Sequence, residues 1–280
     1  MKLTIAKSAG FCFGVERALA IALETAASGR EVYMLGDIVH NEVVVKKMKA
    51  AGIRKIRGPL KGRGARALLI RAHGTGRGTI ARARAAGYKI IDATCPMVKE
   101  IHAIARRLEQ DGRTVIIIGD KEHDEVRGIV GQLVKKPVII SSRSDISHSA
   151  LRHIKRAGVV VQSTQEEARA LDIVDALRRR IKDIVFKNTI CNPTRIKQKE
   201  AKSLPAENDV VIVVGSKSSA NTKRLYQIAK SLNRRTYWVN SPGELKAVWF
   251  KGARSVGVTA GASTPESSIK DVVKSICLMS

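Results

Sequence analysis

Val211-Ile212-Val213-Val214-Gly215 runs directly into Ser216-Lys217-Ser218-Ser219-Ala220-Asn221-Thr222. Four consecutive β-branched residues with no polar face describe a strand covered on both sides. The small hydroxyl and amide residues behind them end that strand and open a helix. The pattern recurs along the chain. Leu68-Leu69-Ile70-Arg71-Ala72 meets His73-Gly74, and Val115-Ile116-Ile117-Ile118-Gly119 leads to Glu122-His123-Asp124-Glu125. Val159-Val160-Val161 meets Gln162-Ser163-Thr164, and Val256-Gly257-Val258 meets Thr259-Ala260-Gly261-Ala262-Ser263. Strands are expected at 31–35, 67–70, 114–118, 158–161, 209–214 and 255–258, with amphipathic helices at 15–27, 97–110, 166–180, 222–232 and 265–275. Such alternation predicts α/β architecture with parallel sheets. Ligands of such sheets bind beyond the carboxyl ends of strands, where helix N-termini favour anions.

Three cysteines stand at ends of strand-like or turn-like segments: Cys12 in Gly10-Phe11-Cys12-Phe13-Gly14-Val15, Cys95 in Asp92-Ala93-Thr94-Cys95-Pro96, and Cys191 in Thr189-Ile190-Cys191. Their wide spacing suggests one cysteine per lobe, converging on a shared centre. Three thiolates suit an iron–sulfur cluster with one iron left open, and an open position distinguishes a catalytic site from a closed structural one. Cys277 lies in an apolar stretch and reads as structural.

Composition narrows the classes. A chain of 280 residues can form one large domain or two to three small ones. No signal peptide or membrane-spanning run is evident, which predicts a cytoplasmic protein, where scattered cysteines serve as ligands or reactive thiols. Lys and Arg number 51 against 25 Asp and Glu, a net charge of +26. Residues 43–91 contain no acidic side chain but many basic ones, including Lys46, Lys47, Lys49, Arg54, Lys61, Arg63, Arg77, Arg82 and Arg84. That field suits an acidic partner protein or another polyanion. Aromatics are only 4% and do not interleave with the basic residues, which argues against nucleic acid held by base stacking.

His40, His73 and His123 follow predicted strands and can donate to phosphate oxygens. Glu125 is the candidate proton donor, because a carboxylic acid in a closed site can titrate near neutrality. The hydroxyls of Ser163 and Thr164 can relay that proton. Ser219, Asn221 and Ser263, in loops before helices, suggest a diphosphate cradle. His102 falls inside a helix and reads as structural; His148 and His153 read as surface residues.

These motifs together resemble the IspH (LytB) family of 4-hydroxy-3-methylbut-2-enyl diphosphate reductases over nearly the whole chain. The resemblance implies three small α/β lobes with parallel sheets, in a pseudo-threefold arrangement around a central iron–sulfur cavity. The lobes would be 13–95, 96–190 and 191–280, the last completed by 1–12. It implies a [4Fe–4S] cluster on Cys12, Cys95 and Cys191. His40, His73, His123, Ser163, Ser219, Asn221 and Ser263 would bind substrate, and Glu125, His123 and Ser163 would act in catalysis. The implied reaction removes the allylic hydroxyl as water with two electrons, giving isopentenyl and dimethylallyl diphosphate, the last step of the non-mevalonate route. An acidic ferredoxin or flavodoxin is the implied electron donor. The alternatives are a divergent cluster enzyme acting on another small phosphorylated allylic alcohol, and a cluster-bearing nucleic-acid-binding or redox-sensing protein. Three departures fall near the site. The usual His-Pro-Glu reads His123-Asp124-Glu125, which adds a carboxylate. The usual Asn-Ser-Ser-Asn reads Ser218-Ser219-Ala220-Asn221, which removes a hydroxyl. Lys197 lies in the altered segment after Cys191.

Overall fold

In a computed structural model the chain forms three four-stranded sheets in which every recorded strand pairing is parallel. The structure describes residues 1–56, 58, 66–146 and 151–279. Arg57, residues 59–65 and 147–150, and Ser280 lie outside it, and with them Lys61, Arg63 and His148.

Two compact units are present. One comprises Met1–Glu16, Val39–Lys46 and Asn192–Ser280; the other comprises Arg17–Ile38 and Lys47–Cys191. In chain order the strands are β1 (Lys2–Ile5), β2 (Glu31–Leu35), β3 (Arg54–Ile56), β4 (Arg66–Ile70), β5 (Lys89–Asp92), β6 (Thr114–Ile118), β7 (Val138–Ile140), β8 (Arg156–Val161), β9 (Asp183–Phe186), β10 (Val210–Val214), β11 (Thr236–Val239) and β12 (Ser255–Ala260). The first unit holds the sheet β1-β12-β10-β11. The second holds β3-β2-β4-β5 and β7-β6-β8-β9.

All three sheets share one topology. In each, the first strand of the set pairs with the second on one side and the third on the other, and a fourth lies beside the third. In the first unit β1 takes that fourth place beside β12, in the register Lys2 to Ser255 through Ile5 to Val258. The chain order reverses between β2 and β4, between β6 and β8, and between β10 and β12, so each pair is a topological switch point.

The six strands expected from sequence are the six central ones. Their residues are almost wholly buried: Val210–Val214 throughout, and all but the first residue of β4, β6, β8 and β12. The helices are α1 (Phe13–Ala27), α2 (Glu42–Ala50), α3 (Arg77–Ala85), α4 (Pro96–Gln110), α5 (Asp124–Val130), α6 (Glu167–Arg178), α7 (Asn192–Glu207), α8 (Ala220–Leu232) and α9 (Glu266–Leu278). In α4, Pro96 opens the helix and Val98, Ile101, His102, Ala105 and Leu108 form the buried stripe. That stripe packs with Val115, Ile117 and Val160 on one face of the β6–β8 sheet. Ile116, Val159 and Val161 pack on the other face against Ile173, Val174 and Leu177 of α6. Cys277 departs from the structural reading, since it is exposed on α9.

Candidate active site

The shared topology places the chemistry. His40 follows β2, His73 follows β4, and His123 and Glu125 follow β6. Ser163 follows β8, Ser219 and Asn221 follow β10, and Ser263 follows β12. Each lies beyond the carboxyl end of a central strand. The cysteines obey a second rule: Cys95 follows β5, Cys191 follows β9 and Cys12 follows β1, each the fourth strand of its sheet. Each immediately precedes a helix, α4, α7 or α1 respectively. Backbone hydrogen bonds anchor these positions: Cys95 N–H donates to Ala72 O, Cys191 N–H to Ser163 O and Cys12 N–H to Ala262 O. None of the four cysteines is in a disulfide among the described residues.

In the first unit, the loops after β10 and β12 meet the segment carrying His40. Ser219 is the N-cap of α8 and its Oγ accepts from Thr222 N–H at 3.3 Å. The Ser263 hydroxyl lies 3.2 Å from His40 O and 3.4 Å from Ser219 Oγ. Asn221 is 4% exposed, and neither atom of its side-chain amide has a hydrogen-bond partner among the described residues. A buried amide left unsatisfied costs stability unless a ligand engages it. Gly215 (φ +143) and Gly261 let the two loops close around Thr222, where a Cβ on either would strike the threonine side chain. Glu42 adds a carboxylate that sequence reading passed over, accepting from Ser216 Oγ at 2.7 Å and Asn240 Nδ2 at 3.3 Å. Burial pushes its pKa up, but bonds from Ser216, its own N–H and Asn240, with His40 nearby, hold it below the ordinary value.

Lys197 also gains a defined position. It is 2% exposed, and its Nζ donates to Gly10 O at 2.8 Å and to Ser8 O. Glu200, one turn on, accepts from Ser8 N–H at 3.1 Å. Helix α7 therefore fixes the segment leading into Cys12. A lysine three positions from an acid on a polar helix reads in sequence as solvated, so its place in the altered segment after Cys191 was visible but its burial was not.

In the second unit, the His73 and His123 rings stand edge to face at 5.4 Å. His123 Nδ1 accepts from Glu125 N–H at 3.2 Å, so the proton of the neutral ring sits on Nε2, a donor. Glu125 is 1% exposed rather than a solvated carboxylate at a helix start. Ser163 N–H donates to Oε1 and Ser163 Oγ–H to Oε2, both at 2.6 Å. Burial raises the Glu125 pKa; the two serine bonds oppose it, and the net shift is upward. Asp124, the extra carboxylate, is ion-paired to Arg71 at 2.5 Å. His102 is buried in α4 and His153 is exposed.

Of the basic stretch, Arg54 and Lys55 pair with Glu31 and Asp37, while Lys46, Lys47, Lys49, Arg77, Arg82 and Arg84 are exposed. Among the described residues no helix is long and apolar enough to cross a membrane.

The family model described as LytB protein matches residues 3–277. A 4-hydroxy-3-methylbut-2-enyl diphosphate reductase of Geobacter sulfurreducens is 40% identical over 276 residues, covering 99% of this chain and 97% of the relative. One of Aquifex aeolicus is 39% identical over 282 residues, covering 98% and 96%. A solved structure of (E)-4-hydroxy-3-methyl-but-2-enyl diphosphate reductase, described as the terminal enzyme of the non-mevalonate pathway, matches with TM-score 0.72 and 40% identity, covering 99% of this chain and 100% of that one. The E-1-hydroxy-2-methyl-but-2-enyl-4-diphosphate reductase of Plasmodium falciparum matches with TM-score 0.89 and 27% identity, covering 98% and 87%. With the match running from one end to the other and the cysteine motifs in order, the chain belongs to the LytB protein family.

Proposed function

We propose that this protein is the oxidoreductase that converts 4-hydroxy-3-methylbut-2-enyl diphosphate to isopentenyl and dimethylallyl diphosphate by reductive dehydroxylation. The observation that carries the reading is the buried Glu125, held through both oxygens by Ser163, in a chain 40% identical to reductases of that name. Glu125 is poised to hold a proton, and the Ser163 hydroxyl is the path along which it moves. His123, with its proton on Nε2, and His73 donate to anionic oxygens. Ser219, Asn221, Ser263 and His40 complete the diphosphate-binding set, and the partnerless Asn221 amide supports that role. Lobe boundaries at 13–95, 96–190 and 191–280 with 1–12 belong to the same proposal, supported by the strand membership of the three sheets.

The family implies a [4Fe–4S] cluster, and the donor set fits it: three cysteines outside any disulfide, each directly before a helix N-terminus whose partial positive charge favours thiolate. Cys12, Cys95 and Cys191 would hold it. When bound it supplies the electrons of the reduction. We place the enzyme in the cytosol, where thiols stay reduced. An acidic ferredoxin or flavodoxin delivers electrons, steered by exposed residues such as Lys46, Lys49, Arg77 and Arg82.

The test is anaerobic turnover of 4-hydroxy-3-methylbut-2-enyl diphosphate by the reconstituted protein with an artificial reductant, beside Glu125→Gln. Five-carbon diphosphates from wild type and not from the variant are expected. An intact cluster with no conversion would overturn the substrate assignment.

A further inference from the structure

The departure at Asp124 has a partner two residues before His73. Arg71 extends from the end of β4 and its Nη1 meets Asp124 Oδ2 at 2.5 Å, with 16% and 18% of the two side chains exposed. The guanidinium crosses Gly36, whose φ of +76 and missing Cβ leave room for it. Arg71 Nε is buried without a hydrogen-bond partner among the described residues, a cost that a surface bridge would avoid. The pair joins the loops after β4 and β6, the two loops whose histidines stand edge to face.

A proline at position 124, the first residue of α5, would fix φ there and confine the preceding residue to extended backbone. His123 has that extended backbone here, φ −72° and ψ 138°, with no proline to impose it. An aspartate at the same position leaves both torsions free in the isolated chain. The N-cap bond from Glu125 N–H to His123 Nδ1 holds the ring from within α5, and the Arg71–Asp124 ion pair adds a restraint from the loop after β4.

We propose that Arg71 and Asp124 form a positioning pair that fixes His123 against His73, supplying a restraint of the kind that a proline at position 124 would give. The proposal rests on the diphosphate-binding role of the two histidines given above. The pair does not touch substrate; it sets the direction of the two imidazole donors. Binding of a diphosphate should therefore depend on the pair more than the chemical step does.

The experiment compares the reconstituted wild type, Arg71→Ala, and Arg71→Ala with Asp124→Pro. Arg71→Ala is expected to raise KM for the allylic diphosphate, and the inhibition constant of inorganic diphosphate, by about tenfold, with kcat within about twofold. Adding Asp124→Pro should bring both back towards wild type, which a loss of stability alone would not do. A second readout needs no substrate: the rate at which diethyl pyrocarbonate carbethoxylates His73 and His123, followed by peptide mass spectrometry. That rate should rise in Arg71→Ala and return in the double variant. Unchanged constants and unchanged histidine reactivity in Arg71→Ala would overturn the proposal, as would failure of the proline to restore either. If wild type neither turns over nor binds diphosphate, the functional reading fails, and the histidine reactivities alone decide the positioning role.

Discussion

Both carboxylate oxygens of Glu125 are engaged by one residue, Ser163, whose backbone N–H and hydroxyl each lie 2.6 Å away. The contact ties the first turn of α5 to the end of β8, across the switch point between β6 and β8. It makes Glu125 an acid whose protonation state is set by the fold.

Because burial raises the folded-state pKa of Glu125 above the ordinary 4.5, the fold prefers the protonated form. That stabilisation is fully present below pH 4.5 and is lost as pH rises through the higher folded value. Glu125→Gln cannot titrate, so its melting temperature should gain on wild type as pH rises from 4.5. Thermal melts of both proteins across that range check this, and parallel curves would contradict it. Turnover should fall by about 100-fold or more in Glu125→Gln. It should fall by about tenfold in Ser163→Ala and stay near wild type in Ser163→Thr, which keeps the hydroxyl.

Asn221 presents a buried amide with neither atom hydrogen-bonded among the described residues. Asn221→Ala should therefore leave the unliganded melting temperature almost unchanged while raising KM for the diphosphate by about tenfold. Asn221→Asp should do worse, since it sets an anion against an anion. Steady-state kinetics beside calorimetric melts separate the two effects; a large loss of stability with normal KM would give Asn221 a structural role instead.

Replacing Cys12, Cys95 or Cys191 singly with serine should strip iron and sulfide from the anaerobically reconstituted protein and abolish its visible absorbance. Cys277→Ser, at an exposed position on α9, should retain both. Metal analysis and absorption spectra give the answer directly.

His102 is 6% exposed, and burial lowers its pKa from 6.5 to about 4, with the nearby Arg106 adding to the effect. A base depressed in the fold stabilises above its unfolded value of 6.5, and the contribution is lost as pH falls towards about 4. The span corresponds to roughly 3 kcal/mol. Its ring lies against Gly74 (φ +72) and Gly128, where added Cβ atoms would come within 2.7 and 3.4 Å of it. His102→Gln should flatten the acid limb of a stability–pH profile. If both proteins lose stability equally between pH 6.5 and 4, the assignment is wrong.

The central strands were legible because they are buried on both faces, so Val115–Ile118 or Val211–Val214 had no polar position to obscure them. The edge strands β1, β3, β5, β7, β9 and β11 were not. Arg54–Ile56 and Lys89–Asp92 keep exposed charges and no fully buried residue, and hydrogen bonding to one neighbour sustains them. Parallel α/β sheets were readable from the strand and loop patterns, whereas the reductase function and the count of three lobes came through the family resemblance that the cysteine, histidine and glycine motifs carry.

Sequence alone determined which residues follow each buried strand, because hydrophobic patterning is local and survives without the fold. Tertiary structure decided what those residues meet. That Asp124 faces Arg71, that both oxygens of Glu125 meet Ser163, and that Lys197 is buried under Ser8 and Gly10 depend on segments 53, 38 and 189 residues apart. Charge and hydrogen-bond partnership are properties of position in space, and only the assembled sheets and the loops at their ends set that position.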